Sequence, residues 1–202
     1  VGLTQKLFLT LLAAVGASRL GELVRSQRNR RWLIAHGARP APDPGFAAMA
    51  ALHAGILVGA AAEVLLLRRP FLLPLAVPMT ALFFAALSLR WWAIRTLARH
   101  WNVRVVDSTL LGVVTRGPYR WIRHPNYAGV FVEMTALPLL HTAWLTALAG
   151  TLAHWAVLRR RISAEEAVLF ANPTYRAAMA GKPRFLPRWF CPSPAHREPS
   201  CR

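Results

Sequence analysis

Negative charge is what this chain has least of. Eight Asp and Glu stand against 25 Lys and Arg in 202 residues, a formal net charge of +17. Such a balance directs a protein toward polyanions, either nucleic acid or the phosphate headgroups of a membrane. Cysteine is scarcer still: Cys191 and Cys201 both fall in a polar C-terminal stretch, form no CxxC and exclude a disulfide framework. Neither GxGxxG nor GxxxxGK[ST] occurs, which removes the Gly-rich nucleotide loops, and no spacing of His, Cys, Asp and Glu suggests a metal site. No internal repeat is visible. The first apolar run is followed by Arg19, Glu22 and Arg25 instead of small residues, so no cleavable signal segment is expected.

What is abundant is apolar surface. Hydrophobic residues make up 55% of the chain and charged residues only 16%, the composition of a membrane protein. Five spans are expected, at about 3–20, 46–67, 71–94, 127–141 and 143–158. The first continues as a polar helical extension from Gly21 to Gly37, with Trp32 as an interface anchor, until Pro40, Pro42, Pro44 and Gly45 break it. The last two are short and joined by a tight turn at His141-Thr142, a helical hairpin. Neither reaches the roughly 20 residues of an untilted span. Between the third and fourth, Val103 to Val114 has β-branched, strand-like content. After Arg161 a soluble helix to about Met179 is expected, then a proline-punctuated end. The expected fold class is an all-α integral membrane protein: one domain over 1–190, a C-terminal helical hairpin, a cytoplasmic pocket built from 100–129 and 159–187, and a flexible tail at 191–202.

The distribution of the cations decides between the two polyanions. Of the 25, 22 lie in three segments, Arg19–Arg39, Arg90–Arg123 and Arg159 onward. With five spans, all three fall on one side of the membrane. The positive-inside rule then places the N-terminus outside and the C-terminus in the cytoplasm. Topology accounts for the charge, and nucleic acid becomes unnecessary.

The chemistry concentrates in Arg116-Gly117-Pro118-Tyr119-Arg120-Trp121-Ile122-Arg123-His124-Pro125-Asn126-Tyr127-Ala128-Gly129. Pro125 pushes His124 out of the α region and suits the first turn of a new helix. That helix start offers free N–H groups and a positive dipole end to an anion. Gly129 leaves room for a close approach to the helix backbone. The bland alternative is a basic juxtamembrane loop on phosphate headgroups. Beyond the hairpin, Arg159-Arg160-Arg161 is followed by Ser163 and the acid pair Glu165-Glu166. The acids suit a ligand's ammonium, or else an N-terminal contact on a last helix capped by Ser163. Arg161, one turn before Glu165, suits an anionic oxygen, or else snorkels. His53 and Glu63 are ten apart on the second span and are expected on different faces. His53, and likewise His154, is expected to hydrogen-bond across helices.

Gly117-Pro118-Tyr119, then Arg123-His124-Pro125-Asn126-Tyr127-Ala128-Gly129, then Glu165-Glu166 after one hydrophobic hairpin, resembles the isoprenylcysteine carboxyl methyltransferase family and its phospholipid-methylating relatives. The resemblance runs from about Trp91 to Pro187. It implies an integral membrane enzyme that uses S-adenosylmethionine. It also implies a cofactor pocket on Leu111, Gly112, Val113, Val114, Tyr119, His124, Pro125, Asn126, Tyr127 and Glu165, with Gly129 and Glu166 beside it. Arg161 would face the acceptor, with His124 and Asn102 as further catalytic candidates. In the N-terminal half, Arg19-Leu20-Gly21-Glu22-Leu23, Arg28-Asn29-Arg30-Arg31-Trp32-Leu33, Leu52-His53 and then Trp101-Asn102-Val103-Arg104 are similar to a bacterial branch. That branch sits with type III polyketide synthases in the plasma membrane and O-methylates alkylresorcinols and alkylpyrones. The departures are Ala171-Asn172-Pro173 and Ala178-Met179 in the C-terminal lid. The alternatives are a prenylcysteine carboxyl methyltransferase and a membrane reductase similar to the sterol reductases. A non-catalytic transport module would show paired repeats, and none is visible.

Overall fold

The computed structural model describes residues 1–43 and 45–187. Pro44, Cys191 and Cys201, and the tail expected at 191–202, lie outside the described residues. The described chain is mostly helical. Helix α1 (Leu3–Ala35) is one unbroken rod of 33 residues, its apolar first half passing into the polar extension without a kink. It stops in a Schellman turn at Gly37, whose φ of 94° suits glycine. There Gly37 N–H donates to Ile34 O at 3.1 Å and Ala38 N–H to Leu33 O at 3.0 Å. Two two-residue strands, β1 (Arg39–Pro40) and β2 (Val106–Asp107), then pair antiparallel. The strand-like content of 103–114 therefore contributes only β2, and the rest of that segment is turn and loop.

Helices α2 (Phe46–Leu66) and α5 (Trp144–Leu169) lie antiparallel along each other. The register is steady from end to end. A Cβ on Gly45 would sit 3.4 Å from Arg161 Cβ, one on Gly150 would sit 2.9 Å from Ile56, and one on Gly59 would sit 3.3 Å from Thr146 Oγ1. At the far end Glu63 accepts from Thr146 N at 2.7 Å and Leu145 N at 3.1 Å, capping the start of α5. His53 also meets α5, through His154. The expectation of different faces for His53 and Glu63 fails because α2 follows α5 over its whole length.

Helices α3 (Leu73–Leu97) and α4 (Pro125–Leu139) form the second antiparallel pair. A Cβ on Gly129 would penetrate Arg90 Cγ and come within 3.0 Å of Ala86 O, so glycine sets their closest approach. The turn between α4 and α5 is tight, with Thr142 at φ 56° and its hydroxyl donating to Pro70 O at 2.6 Å. The apolar core between α1, α2, α3 and α4 is built from residues such as Phe8, Leu12, Ile56, Phe83, Met134 and Leu137.

Among the described residues three helices, α1, α2 and α3, are long and apolar enough to cross a membrane. The hairpin arms are not in that set. Helix α4 has 15 residues, roughly 22 Å of helix against a hydrocarbon core of about 30 Å. Helix α5 runs without interruption through Arg161 to Leu169. The separate soluble helix expected after Arg161 is thus a continuation of α5, and Ser163 lies inside it and caps nothing. Only α6 (Pro173–Met179) is separate, with Asn172 Oδ1 accepting from Thr174 N at 2.8 Å as its N-cap.

Four charges meet among α1, α3 and α4, with Arg90 and Glu133 buried and Arg19 and Glu22 partly buried. Glu133, 1% exposed, accepts from Arg90 Nη1 at 2.8 Å and from Arg19 Nη2. Glu22 accepts from Arg90 Nη2 at 2.8 Å and from Arg19 Nη1 at 2.9 Å. Arg19 and Arg90, counted from the sequence among the headgroup-facing cations, are instead half of a neutral internal quartet.

Candidate active site

The polar extension of α1 fixes one wall of the site. Ser26, buried in that helix, donates to Asn102 Oδ1 at 2.9 Å and accepts from Val103 N at 3.0 Å. Asn102 returns a bond to Ser26 O at 3.2 Å, and Asn29 donates to Trp101 O at 2.7 Å. The amide of Asn102 is thus committed to holding the loop after α3. Asp43 ties the same loop to α5: one carboxylate oxygen accepts from Val105 N at 3.2 Å and the other from Arg161 Nη1 at 3.1 Å.

Arg161 is 5% exposed, so it does not snorkel. Besides Asp43, it donates through Nη2 to Val103 O and through Nε to Tyr127 OH at 2.9 Å. Tyr127 OH in turn donates to Glu165. A guanidinium carries five N–H groups, so each terminal nitrogen keeps a second one for another partner.

The two acids diverge, as neighbours on a helix must, being about 100° apart. Glu165 lines the cavity. Glu166 turns away and gathers His124 Nε2 at 3.0 Å, Arg184 Nη2 at 2.6 Å and Arg123 Nη2 at 3.2 Å. Burial would raise the Glu166 carboxyl, but the bonds from His124 and Arg184 and the nearby Arg123 charge outweigh it and hold it down to about 2. Backbone bonds finish this strap: Arg123 N to Pro183 O at 2.9 Å and His124 N to Arg184 O at 3.0 Å.

Between these walls lies a cavity of about 530 Å³, within the size range of small-molecule sites. Of the residues expected at the site, Asn102, Gly112, Val113, Val114, Tyr119, His124, Asn126, Tyr127, Arg161 and Glu165 line it. Leu111, Pro125, Gly129 and Glu166 do not. Gly129 serves α3 packing and Glu166 the strap. One end of the cavity is an apolar slot of Tyr119, Tyr175, Met179, Val113 and Leu169. Burial, and then the Glu165 charge, push the Tyr119 and Tyr175 phenols above their ordinary range, so both stay protonated at neutral pH. Two wall atoms, Asn126 Oδ1 and Trp101 Nε1, are buried with no hydrogen-bond partner among the described residues. Among the described residues no three His, Cys, Asp or Glu side chains converge as metal ligands.

Residues 79–171 match the isoprenylcysteine carboxyl methyltransferase (ICMT) family. The matched stretch takes in most of α3, the cavity loop, α4 and α5, and therefore His124, Tyr127, Arg161 and Glu165. Helices α1, α2 and α6 lie outside it. The chain is also similar to "Uncharacterized protein YpbQ" of Bacillus subtilis (strain 168), 28% identical over 164 residues, which cover 81% of this chain and 96% of that protein. The match over 79–171 and the three apolar helices among the described residues support a membrane methyltransferase.

Sequence reasoning missed Asp43, Trp101 and Tyr175. Tyr175 carried a signal: Asn172-Pro173 is a helix cap followed by a proline at the first helical position, which predicts a short helix with Tyr175 in its first turn. Asp43 carried none, since its partner is Arg161, 118 residues away.

Proposed function

We propose that the protein transfers a methyl group from S-adenosylmethionine to an oxygen of a lipophilic acceptor, a phenol or enol of the alkylresorcinol or alkylpyrone kind. The observation that carries this reading is the Glu165 carboxylate on the wall of a cavity that also holds an aromatic slot. When bound, S-adenosylmethionine supplies an electrophilic methyl group on a sulfonium. The residues present fit it. Glu165 would take the ammonium, and the Tyr119–Tyr175 slot the adenine. Asn126 Oδ1 and Trp101 Nε1 offer it an acceptor and a donor that nothing else engages. The first turn of α4 presents N–H groups to the carboxylate.

Arg161 holds the acceptor oxygen through its remaining N–H groups. Its other bonds, to Asp43, Val103 and Tyr127, fix the fork in direction. Such a displacement annihilates charge, so positioning matters more than proton transfer. A lipophilic acceptor also fits the shape of the cavity. Leu20 of α1 and Ala50 and Ala54 of α2 are exposed on the outer surface and line the cavity too, an opening toward lipid between the two helices.

Glu165→Ala is expected to weaken S-adenosylmethionine binding about ten- to a hundredfold, the loss of one charge-assisted hydrogen bond of roughly 1.5–3 kcal/mol. Calorimetry on purified protein measures it. Glu166→Ala, which loosens the strap but does not touch the cavity, should lower thermal stability and change affinity much less. Equal affinity for wild type and Glu165→Ala would remove Glu165 from the cofactor site. Labelled nicotinamide cofactor serves as the comparison ligand: its binding in place of S-adenosylmethionine would favour the reductase reading.

For topology, the proposal is an N-terminus outside and a cytoplasmic site in the bacterial plasma membrane. The hairpin spans or dips without changing this, because α4 leaves from and α5 returns to the same side. Leu145, Leu148, Leu152 and Trp155, all exposed, form one outward apolar face on α5, which supports its immersion in lipid. Cysteines placed across 116–123 should react only with reagents that enter the cytoplasm. Labelling of that segment from outside would reverse the orientation.

A further inference from the structure

About 10 Å along α5 from Arg161, roughly seven residues of helix, the cavity wall holds two histidines with no assigned role. His154 stands seven residues before Arg161 on α5, and His53 eight residues after Gly45, the residue level with Arg161 on α2. The antiparallel register brings the two rings edge to face, with centroids 5.1 Å apart. Both line the same cavity as Glu165 and Arg161. His154 has no exposure at all, yet neither of its ring nitrogens has a hydrogen-bond partner among the described residues, and neither does Nε2 of His53. The cross-helix hydrogen bond expected of these histidines is thus absent among the described residues. Buried polar atoms are rarely left unpaired in proteins, and leaving them so is costly.

The surroundings are apolar, with Phe131 packed on His154 at 5.4 Å between centroids and Met49, Leu57 and Val130 on the cavity wall. The charges that act at this depth are Arg19 and Arg90, which belong to a neutral quartet with Glu22 and Glu133, and Arg161. A neutral imidazole both donates and accepts, so it matches a hydroxyl or an enol better than a carboxylate. Two hydrogen bonds of about 2.8 Å, one on each side of a single six-membered ring, cover about 10 Å. The helical rise from His154 to Arg161 is of similar length, about 10 Å.

We propose that His53 and His154 form a second polar station in the acceptor pocket, which binds an un-ionised oxygen function one ring-width from the oxygen that Arg161 holds. This rests on the assignment of Arg161 to the methylated oxygen.

The test is equilibrium binding in detergent without any methyl donor, with two probes of equal chain length: a 5-alkyl-1,3-dihydroxybenzene and the matching 3-alkylphenol. Wild type should bind the dihydroxy probe about tenfold more tightly, one hydrogen bond's worth. His154→Phe and, at the less buried position, His53→Phe should each shrink that ratio toward one. His154→Asn, which keeps a donor and an acceptor, should restore part of it. Affinity for S-adenosylmethionine should stay unchanged in all three. Equal binding of the two probes by wild type overturns the proposal and needs no variant. So does a ratio that survives in both phenylalanine variants. If wild type discriminates between the probes but does not bind S-adenosylmethionine, the cofactor assignment fails and the station stands. If it binds S-adenosylmethionine tightly but does not discriminate, the station fails and the cofactor assignment stands.

Discussion

Arg161→Lys is expected to cut the single-turnover methyl-transfer rate on the order of a hundredfold while leaving S-adenosylmethionine affinity within about threefold. Lysine keeps the charge but has one nitrogen where arginine has three. It can satisfy Asp43, or Val103 O, or Tyr127 OH, but not all three in the geometry that the fork now holds. The acceptor oxygen then loses its direction relative to the methyl group, and a displacement of about an ångström suffices for a loss of this size. The dissociation constant, the rate and the melting temperature should be measured on the same preparation. A near-native rate would take Arg161 out of the chemistry. A parallel collapse of affinity, rate and melting temperature would make it a clasp for the loop at Val103 and nothing more.

That ambiguity exists because Arg161 ties the loop to α5 as well as having the proposed role toward the acceptor, and only the second was legible in the sequence. One turn before Glu165, between an apolar run and an acid pair, its position invited a role toward the acceptor. Its bond to Asp43 joins residues 118 apart, and no local pattern encodes it. The same division runs through the fold. Local rules sufficed for the long α1, for the Gly37 stop, for the hairpin turn at His141-Thr142 and for Pro125 at the start of α4. They failed where the partner was distant. The uninterrupted course of α5 past Arg161 escaped detection because three arginines and two glutamates read as the end of a span. In the structure they are the polar end of one helix that leaves the apolar layer. Arg19 and Arg90 read as headgroup-facing cations because composition cannot see that Glu22 and Glu133 neutralise them. His53 and His154 read as minor polar residues because their meeting depends on the α2–α5 register. The residues that carried the resemblance in the N-terminal half, Arg19, Glu22, Asn29, His53 and Asn102, form no contiguous segment. Arg19 and Glu22 balance charge, Asn29 and Asn102 hold the loop, and His53 faces the cavity.

Glu133→Gln is expected to be among the most destabilising single substitutions in the protein. Glutamine keeps the shape and some hydrogen bonding, but it leaves Arg19 and Arg90 with only Glu22 between them, a net positive charge buried among three helices. Breaking a buried pair from one side costs about 3–5 kcal/mol. For a chain of this size that corresponds to a fall in melting temperature on the order of 10 °C. The double variant Arg90→Met with Glu133→Met supplies the control. It removes one charge of each sign, leaves the Arg19–Glu22 pair neutral, and keeps a Cγ where Gly129 packs. It should therefore recover most of the stability, because apolar replacement of a complete buried pair is often neutral. Thermal unfolding in one detergent, followed by tryptophan fluorescence, compares the three proteins. If the double variant is as unstable as Glu133→Gln or worse, the quartet contributes by packing and geometry. If Glu133→Gln melts with wild type, Glu133 is not holding two arginines in place. In the expected case the quartet's contribution is charge balance, which keeps three helices together beside the cavity.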